Sequence, residues 1–364
     1  MAEEEATTRT RTTTRIVSAS EWKVVELLGS GTYGCVEKVE HVTSGEILAR
    51  KTHTGDPATT TTTTTTTKQG GEGLDAMLLR ELSILKRVHH PNVLHLKALA
   101  IVPPQNSIAL FTELCDTNLE DYVYDLCHKG AYIGRKQLSV LLRQLLQGVE
   151  YLHTNCIIHR DLKPANLFLR QDDNNNNNKN NSNNPLLVIG DLGMARFVPT
   201  VGCSQTKTMT TTTTTRQPLT PSVQTPWYRA PEVFLSMAMA AQESSSTSKS
   251  YDEAIDMFSV GAIMGEWMAA GRPLFAGETT IDSWNCICCL MGTPTLATWP
   301  GLPLAQQTYL ATLPQWACTF DQVWQPAVER YGSAAVDLLK RLLCVNPRER
   351  ITVRQALEHA FFQN

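Results

Sequence analysis

The stretch His159-Arg160-Asp161-Leu162-Lys163-Pro164-Ala165-Asn166 places charged and polar residues directly before the apolar run Leu167-Phe168-Leu169. Packing gives no reason for these identities, because buried polar groups need partners. Asp161 can accept a proton, Lys163 can balance developing negative charge, and the amide oxygen of Asn166 can help to hold a metal ion. The stretch therefore indicates a site of group transfer.

A second carboxylate follows the apolar strand predicted over residues 186–189, in the sequence Gly190-Asp191-Leu192-Gly193. Such a motif is a common turn when it stands alone. After residues 159–166, however, Asp191 supplies the Mg²⁺ ligand that phosphoryl transfer requires in addition to a proton acceptor and a cation. The combination predicts chemistry on a phosphate chain.

An earlier segment, Gly29-Ser30-Gly31-Thr32-Tyr33-Gly34, lies between two predicted strands. Glycine lets the main chain approach phosphates closely, although the motif alone fits an ordinary hairpin equally well. Lys51 follows on a strand whose alternation places it on the same face as Ala49. Glu81 lies in the apolar stripe of a helix predicted over residues 74–88. We predict a Lys51–Glu81 ion pair, with a solvated Glu81 as the alternative.

The middle of the chain is predicted to form a strand, a connector and helices. The strand predicted over residues 108–112 runs into Glu113-Leu114-Cys115-Asp116, which loses periodicity and could form a wall for a purine. A helix with one buried face is predicted from the 3.6-residue spacing that follows. Its apolar positions are Leu138, Leu141, Leu142, Leu145, Leu146, Val149 and Leu152.

Composition limits the possible partners and location. The chain has 364 residues, 42% of them hydrophobic, and a net charge of −3, which gives no general attraction to nucleic acid or anionic lipid. No apolar run approaches a membrane-spanning length, so we expect an intracellular protein, in the cytoplasm or nucleus, that binds neither nucleic acid nor membrane. The ten cysteines are expected to be reduced, with Cys286 and Cys289 packed in a core rather than bound to metal.

Low-complexity segments interrupt the chain. Residues 1–20 are predicted to be a disordered tail, and threonine-, asparagine- or serine-rich insertions are predicted at 54–70, 171–185, 201–217 and 240–250. Such segments bury too little apolar surface to offset the entropy of ordering.

Taken together, these motifs resemble those of the eukaryotic protein kinases over roughly residues 22–362. The resemblance implies a bilobal α+β fold with a small β-rich N-lobe at 21–112, a hinge at 113–118 and a larger α-helical C-lobe at 119–364. It implies ATP and Mg²⁺ as cofactors and proteins as substrates. It also implies site roles for two sets of residues. The catalytic and metal-binding set is Asp161, Lys163, Lys51, Glu81, Asn166 and Asp191. The ATP-binding set is Gly29, Gly31, Gly34, Val36, Ala49, Lys51, Glu113 and Cys115.

Within that family, Thr225-Pro226-Trp227-Tyr228-Arg229-Ala230-Pro231-Glu232 resembles the group of cyclin-dependent and mitogen-activated kinases. The sequence Gly292-Thr293-Pro294 favours the cyclin-dependent branch of this group. The likeness implies a proline-directed serine/threonine kinase whose substrate pocket contains Thr225 and Arg229, with a cyclin or another regulatory subunit as a possible partner. A mitogen-activated kinase-like enzyme and a pseudokinase that only binds partners remain alternatives.

The resemblance also implies control by phosphate and two structural anchors. Thr220 matches the activation-loop phosphosite, and Arg80, Arg160 and Arg196 match the arginines that bind its phosphate. Asp256 is expected to hold the backbone of residues 159–166, and Arg350 to pair with Glu232. Two residues depart from the family pattern, which are Arg50 before the lysine and Leu192 in place of phenylalanine.

Overall fold

The computed structural model describes residues 14–31, 34–52, 76–102, 107–171, 185–198, 223–242 and 251–363. These residues belong to two compact units. The first comprises Met1–Arg87 and Leu94–Leu114, and the second comprises Val88–Val93 and Cys115–Asn364.

In its described residues, the first unit is built on a six-stranded sheet and one α-helix. Its strands are β1 (Arg15–Ile16), β2 (Trp22–Gly31), β3 (Gly34–His41), β4 (Ile47–Thr52), β5 (Leu96–Val102) and β6 (Ser107–Thr112), and its helix is α1 (Ala76–Leu85). The order across the sheet is β1-β5-β6-β4-β3-β2. The buried cluster on one face consists of Trp22, Val39, Leu48, Ala98, Ala100, Ala109 and Phe111. Lys51 is three residues from Leu48 and so projects from the opposite face of β4.

Residues 14–20, the described part of the predicted disordered tail, differ from that prediction, whereas residues 1–13 lie outside the described residues. Residues 1–20 were expected to be disordered, but Arg15–Ile16 pair in parallel with β5, and Val17 N donates to Leu99 O at 2.8 Å. A sheet edge offers unpaired backbone groups to any extended segment beside it. Composition does not reveal this, because the hydrogen bonds are made by the main chain.

The second unit is mainly helical. Its helices are α2 (Leu119–His128), α3 (Arg135–Thr154), α4 (Pro231–Gln242), α5 (Ala254–Met268), α6 (Thr280–Met291), α7 (Leu304–Ala311), α8 (Phe320–Tyr331), α9 (Ser333–Leu342) and α10 (Val353–Leu357). Its strands are β7 (Thr117–Asn118), β8 (Ile157–Ile158), β9 (Leu167–Arg170), β10 (Leu186–Ile189) and β11 (Arg196–Phe197). They form the antiparallel sheets β10-β9-β7 and β11-β8. A β-rich first unit and a helical second unit confirm the predicted α+β class.

Two helices organise the second unit. The seven apolar residues that predicted α3 are all buried, which confirms the helical reading of their spacing. Gly148 on α3 allows close packing, since a Cβ there would lie 2.8 Å from Asn92 O. Helix α5 is buried at every position from Ile255 to Met268, as expected for a helix at the centre of a core. It nevertheless carries two carboxylates, Asp256 and Glu266, so both need partners.

Helix α4 ends at Gln242, inside the insertion predicted at 240–250.

Cys156 is disulfide-bonded, whereas the other cysteines in the described ranges are free. The prediction that all ten thiols are reduced is therefore wrong for Cys156, because cysteine spacing does not show which sulfur atoms the fold brings together. In the described ranges, every helix is too short or too polar to cross a bilayer.

Candidate active site

The predicted ion pair between Lys51 and Glu81 is present in the first unit. Lys51 Nζ on β4 lies 2.8 Å from Glu81 Oε1 on α1, and the Glu81 side chain is only 4% exposed. The pair joins the helix to the sheet. Because Glu81 is buried, the ammonium is held in place by a charge that water cannot easily screen.

The glycine-rich segment forms the facing ends of β2 and β3. Gly29 pairs with Val36, and Gly31 pairs with Gly34. Gly34 has φ = 135°, a conformation that other residues rarely adopt. Val36 in turn pairs with Lys51 on β4, so Lys51 lies in the same part of the sheet as the glycine-rich ends of β2 and β3. Residues 32 and 33, at the tip, lie outside the described residues.

Arg50, a departure from the family pattern, has a partner in the cross-strand position. Glu37 is opposite Arg50 in the β3–β4 register, and Arg50 Nη2 lies 2.6 Å from Glu37 Oε2. This pair is on the face of β4 that Lys51 does not use. The connector predicted over residues 113–118 is divided between the two units. Glu113 belongs to the first unit, where its Oε1 lies 2.6 Å from Lys97 Nζ, and Cys115 begins the longer segment of the second unit.

In the second unit the structure brings Asp161, Lys163, Asn166 and Thr225 together. Asp161 Oδ1 accepts hydrogen bonds from Thr225 N at 3.0 Å and from Thr225 Oγ1 at 2.9 Å. Asp161 Oδ2 lies 3.0 Å from Lys163 Nζ and 3.2 Å from Asn166 Nδ2. Lys163 Nζ also donates to Thr225 Oγ1 at 3.1 Å. One carboxylate is thus surrounded by an ammonium, an amide and a hydroxyl.

Asp256 anchors the backbone of this loop, which confirms its expected structural role. Fully buried on α5, it accepts from His159 N at 2.8 Å and Arg160 N at 2.9 Å, and its Oδ2 lies 3.0 Å from His153 Nε2. Burial alone would raise the pKa of Asp256, but the hydrogen bonds from His153 and Arg160 N, with the charge on His153, hold it below its usual value. The carboxylate therefore stays ionised and holds two consecutive N–H groups.

Asp191 follows β10 in a left-handed conformation, with φ = 49°. The preceding residue, Gly190, donates its N–H to Asn166 O at 2.9 Å and accepts from His159 Nε2 at 2.9 Å. His159 Nδ1 accepts from Asp161 N at 3.2 Å, which fixes the tautomer with the proton on Nε2. His159, which the sequence did not single out, therefore connects the Asp161 loop to the Asp191 turn.

Asn166 and Asp191 carry oxygen donors of the kind that would hold a Mg²⁺ ion. Asn166 Nδ2 faces two oxygen acceptors, Asp161 O at 2.8 Å and Asp161 Oδ2, so the amide nitrogen is on that side and the amide oxygen is on the other. Mg²⁺ prefers oxygen ligands, and the Asn166 amide oxygen with the Asp191 carboxylate provides that donor set.

The predicted phosphate-binding arginines are only partly described. Arg160 is buried and donates from Nη1 to Tyr251 Oη and from Nε to Met194 O, both at 2.7 Å. Burial raises the pKa of Tyr251, and the charge of Arg196 on β11 is one of the effects that oppose this rise. The side chain of Arg80, and Thr220 itself, lie outside the described residues.

Arg229 holds the backbone of the segment that contains Thr225. Its Nε donates to Val223 O at 2.9 Å and its Nη2 to Gln224 O at 2.8 Å. The side chain is 4% exposed, and burial lowers the pKa of the guanidinium, an effect that the charge of Asp161 partly offsets. Gln224 is left-handed, with φ = 66°. Sequence reasoning missed Gln224, although its place directly before Thr225 could have drawn attention to it.

Two further carboxylates fix the same region to the core. Tyr228 Oη donates to Glu266 Oε2 on α5 at 2.7 Å. Burial raises the pKa of Glu266 to about 7, against the lowering effect of that hydrogen bond. Glu232 on α4 makes a bidentate pair with Arg350, at 2.7 and 2.9 Å, which confirms the expected anchor.

A family model for the protein kinase domain matches residues 22–362. The matched range starts at the first residue of β2 and includes the ion pair of the first unit, the Asp161 cluster and the Asp191 turn. The chain therefore belongs to the protein kinase family and has its α+β fold.

Proposed function

We propose that this protein kinase transfers the γ-phosphoryl group of ATP to serine or threonine residues that are followed by proline, as a cyclin-dependent kinase-like enzyme. Membership of the family already makes it a phosphotransferase that acts on proteins. Two hydrogen bonds carry the finer proposal: Thr225 Oγ1 donates to the Asp161 carboxylate, and the carbonyl of the preceding residue, Gln224, accepts from Arg229.

The environment of Asp161 supports its role as the group that orients an acceptor hydroxyl. A threonine hydroxyl, that of Thr225, already donates to Asp161 Oδ1 at 2.9 Å and accepts from Lys163. An incoming serine or threonine hydroxyl needs the same two partners, a carboxylate for its proton and a cation for the charge that develops nearby. When bound, ATP supplies the phosphoryl group, and Mg²⁺ neutralises part of its charge. Asn166 and Asp191 are the candidate ligands of Mg²⁺.

The backbone beside Thr225 supports the preference for proline. Gln224 O is already used by Arg229 Nη2, so it cannot also turn toward a peptide bound beside Thr225. A residue other than proline directly after the acceptor would bring a backbone N–H group. This group would lose its hydrogen bond to water and find no acceptor beside Thr225. Proline has no N–H and a fixed φ, so it avoids that penalty.

We also propose control by phosphorylation of Thr220. Arg160 donates to Tyr251 Oη at 2.7 Å, and the charge of Arg196 opposes the rise in the pKa of Tyr251 that burial causes, so two of the three predicted arginines are in the surroundings of one hydroxyl. Guanidinium groups bind phosphate strongly and stay charged. Thr220→Ala is expected to lose most of the activity, and Thr220→Asp to recover part of it. Full activity of Thr220→Ala would contradict this.

The test of the proposed function is transfer of labelled phosphate from ATP to four peptides that differ only at the acceptor and the next residue. They contain Ser-Pro, Thr-Pro, Tyr-Pro and Ser-Ala. We expect labelling of Ser-Pro and Thr-Pro, no labelling of Tyr-Pro, and at least tenfold lower kcat/KM for Ser-Ala. Equal labelling of Ser-Ala would refute the proline preference, and labelling of Tyr-Pro would refute the serine/threonine assignment.

A further inference from the structure

A cavity of about 270 Å³ lies between helices α4, α6 and α7 of the second unit, and its walls are mainly apolar. The side chains that form these walls include Phe234, Leu235 and Met237 from α4, Ile281 and Trp284 from α6, and Tyr309 from α7. None of them belongs to the predicted catalytic, metal-binding or ATP-binding sets. The proposed function therefore makes no use of this cavity.

The aromatic wall of the cavity is held in place by its own contacts. Phe234 and Trp284 are 5% and 3% exposed, and their ring centroids lie 5.9 Å apart at an angle of 62°. Arg229 Cζ lies 5.4 Å from the centroid of the Phe234 ring, and this arginine is itself fixed by Val223 O and Gln224 O. Because both rings already have packing partners, their wall is preorganised, which lowers the cost of binding a ligand.

The described residues that line the cavity carry no charge. The acidic residues of α4 and α6 are already used, since Glu232 pairs with Arg350 and Asp282 accepts from Thr279 at the start of α6. Helix α7 contains no charged residue. A ligand with a carboxylate or a phosphate would lose its water here and gain no ionic partner. The cavity therefore favours an uncharged ligand.

Two hydroxyl groups border the apolar walls. Tyr309 contributes one of them, and Thr280, an exposed residue, contributes the other. A hydroxyl can both donate and accept a hydrogen bond. Ile281, next to Thr280, is 41% exposed, so the start of α6 is the side on which the cavity meets solvent. A ligand with one polar group could direct that group to this side.

The size of the cavity and the adjoining sequence limit its occupant further. An apolar cavity of about 150 Å³ holds one benzene ring, so a cavity of this size suits about two fused rings. Residues 243–250, which follow α4, read Glu-Ser-Ser-Ser-Thr-Ser-Lys-Ser and offer no apolar side chain to fill it. We therefore expect an occupant from outside the chain.

We propose that the cavity between α4, α6 and α7 binds a small uncharged molecule that has two fused aromatic rings and one hydroxyl group. The rings would pack against Phe234 and Trp284, and the hydroxyl would pair with that of Tyr309 or Thr280. This inference goes beyond the proposed function and does not depend on it, because it concerns binding rather than phosphate transfer.

The test measures binding of naphthol to the full chain by isothermal titration calorimetry. Mg²⁺ and a nonhydrolysable ATP analogue are present in saturating amounts, so that the nucleotide site is not available to the probe. Naphthalenesulfonate has the same rings with a negative charge. We expect one molecule of naphthol to bind per chain, and naphthalenesulfonate to bind at least tenfold more weakly, because no cation among the described residues faces the cavity.

A variant that fills the cavity shows where naphthol binds. Ala238 on α4 lines the cavity, and Ala238→Trp places a large side chain inside it. This variant should weaken the binding of naphthol at least tenfold. The matched control is Ala311→Trp, which adds the same side chain at an exposed position of α7 that does not line the cavity. Its Kd should stay within twofold of the wild-type value.

A second variant covers the case in which Ala238→Trp does not fold. Ile281→Arg places a cation at the partly exposed border of the cavity, so it should shift the ratio of the two Kd values at least tenfold in favour of naphthalenesulfonate. Leu304→Arg, at a position of α7 that is 76% exposed, is its control and should leave the ratio unchanged.

Three results would overturn the inference. They are no binding of naphthol to the wild type, unchanged binding in a folded Ala238→Trp, and an unchanged ratio in Ile281→Arg when only that variant folds. Sedimentation of the same proteins tests a different occupant. A wild-type dimer that Ala238→Trp dissociates would mean that a second copy of the chain fills the cavity, which also overturns the inference. Each of these results leaves the proposed function intact, since no peptide substrate is involved.

Discussion

Thr225 Oγ1 lies 2.9 Å from Asp161 Oδ1, and the same oxygen lies 3.1 Å from Lys163 Nζ. One hydroxyl therefore joins the two charged residues of a loop to a segment more than 60 positions later in the chain. The arrangement holds the Asp161 carboxylate in one orientation, because its other oxygen is bound by Lys163 and Asn166.

Removal of the Thr225 hydroxyl should impair catalysis more than peptide binding. Thr225→Ala is expected to lower kcat about tenfold, the equivalent of one charge-assisted hydrogen bond, with a smaller change in KM for a Ser-Pro peptide. Thr225→Ser keeps the hydroxyl and should retain most of kcat. Steady-state kinetics with the three proteins provide the measurement. A Thr225→Ala enzyme with wild-type kcat would show that this contact does not orient Asp161.

The Lys51–Glu81 pair should matter for use of ATP. Glu81→Gln removes the charge that holds the ammonium, and we expect kcat/KM for ATP to fall about tenfold to a hundredfold, as for the loss of a hydrogen bond between charged groups. Arg50→Met is the matched control, because it breaks an ion pair on the neighbouring residue of β4. It should change kcat/KM for ATP by less than about threefold. Equal losses of kcat/KM in both variants would show that the effect comes from disturbance of the sheet rather than from the position of Lys51.

Glu266 should make the stability of the protein depend on pH. Burial raises its pKa from 4.5 to about 7, so the folded state binds a proton more tightly than the unfolded state does. The stability that this proton contributes is complete below pH 4.5, declines as pH rises, and is lost above about pH 7. Between pH 5.5 and pH 8 we expect the wild type to lose about 2 kcal/mol through this group.

Urea unfolding at both pH values measures that change, and Glu266→Gln provides the comparison. The variant accepts the Tyr228 hydroxyl without titrating, so its free energy of unfolding should fall by about 2 kcal/mol less than that of the wild type over the same range. Parallel pH dependences in the two proteins would show that Glu266 does not titrate in this window.

Asp256 should contribute more to stability than an exposed aspartate does. Asp256→Asn replaces an oxygen with an NH₂ group in front of buried donors, and we expect a loss of about 1–3 kcal/mol in the free energy of unfolding. The control, Asp337→Asn, breaks contacts of a half-exposed carboxylate with Arg341 and His359 and should cost less than about 1 kcal/mol. Thermal or urea unfolding of both variants checks the difference. Equal losses would mean that the loop is held by other contacts.

The sequence predicted those features that depend on local spacing. The period of the leucines predicted α3, and the order of Asp161, Lys163 and Asn166 predicted a cluster of side chains that does lie together. It did not predict that the Gln224 amide binds Ser259, because that contact depends on how the segment packs on α5. The pairing of Arg15–Ile16 with β5 was missed for a similar reason, since backbone hydrogen bonds leave no mark on side-chain pattern.

The most direct test of the central claim is phosphate transfer from labelled ATP to a Ser-Pro peptide by the full chain and by Asp161→Asn and Asp191→Asn. We expect transfer by the wild type, and a loss of at least a hundredfold in kcat for each variant, with circular dichroism showing that both remain folded. Transfer at the wild-type rate by either folded variant would contradict the roles given to these two carboxylates.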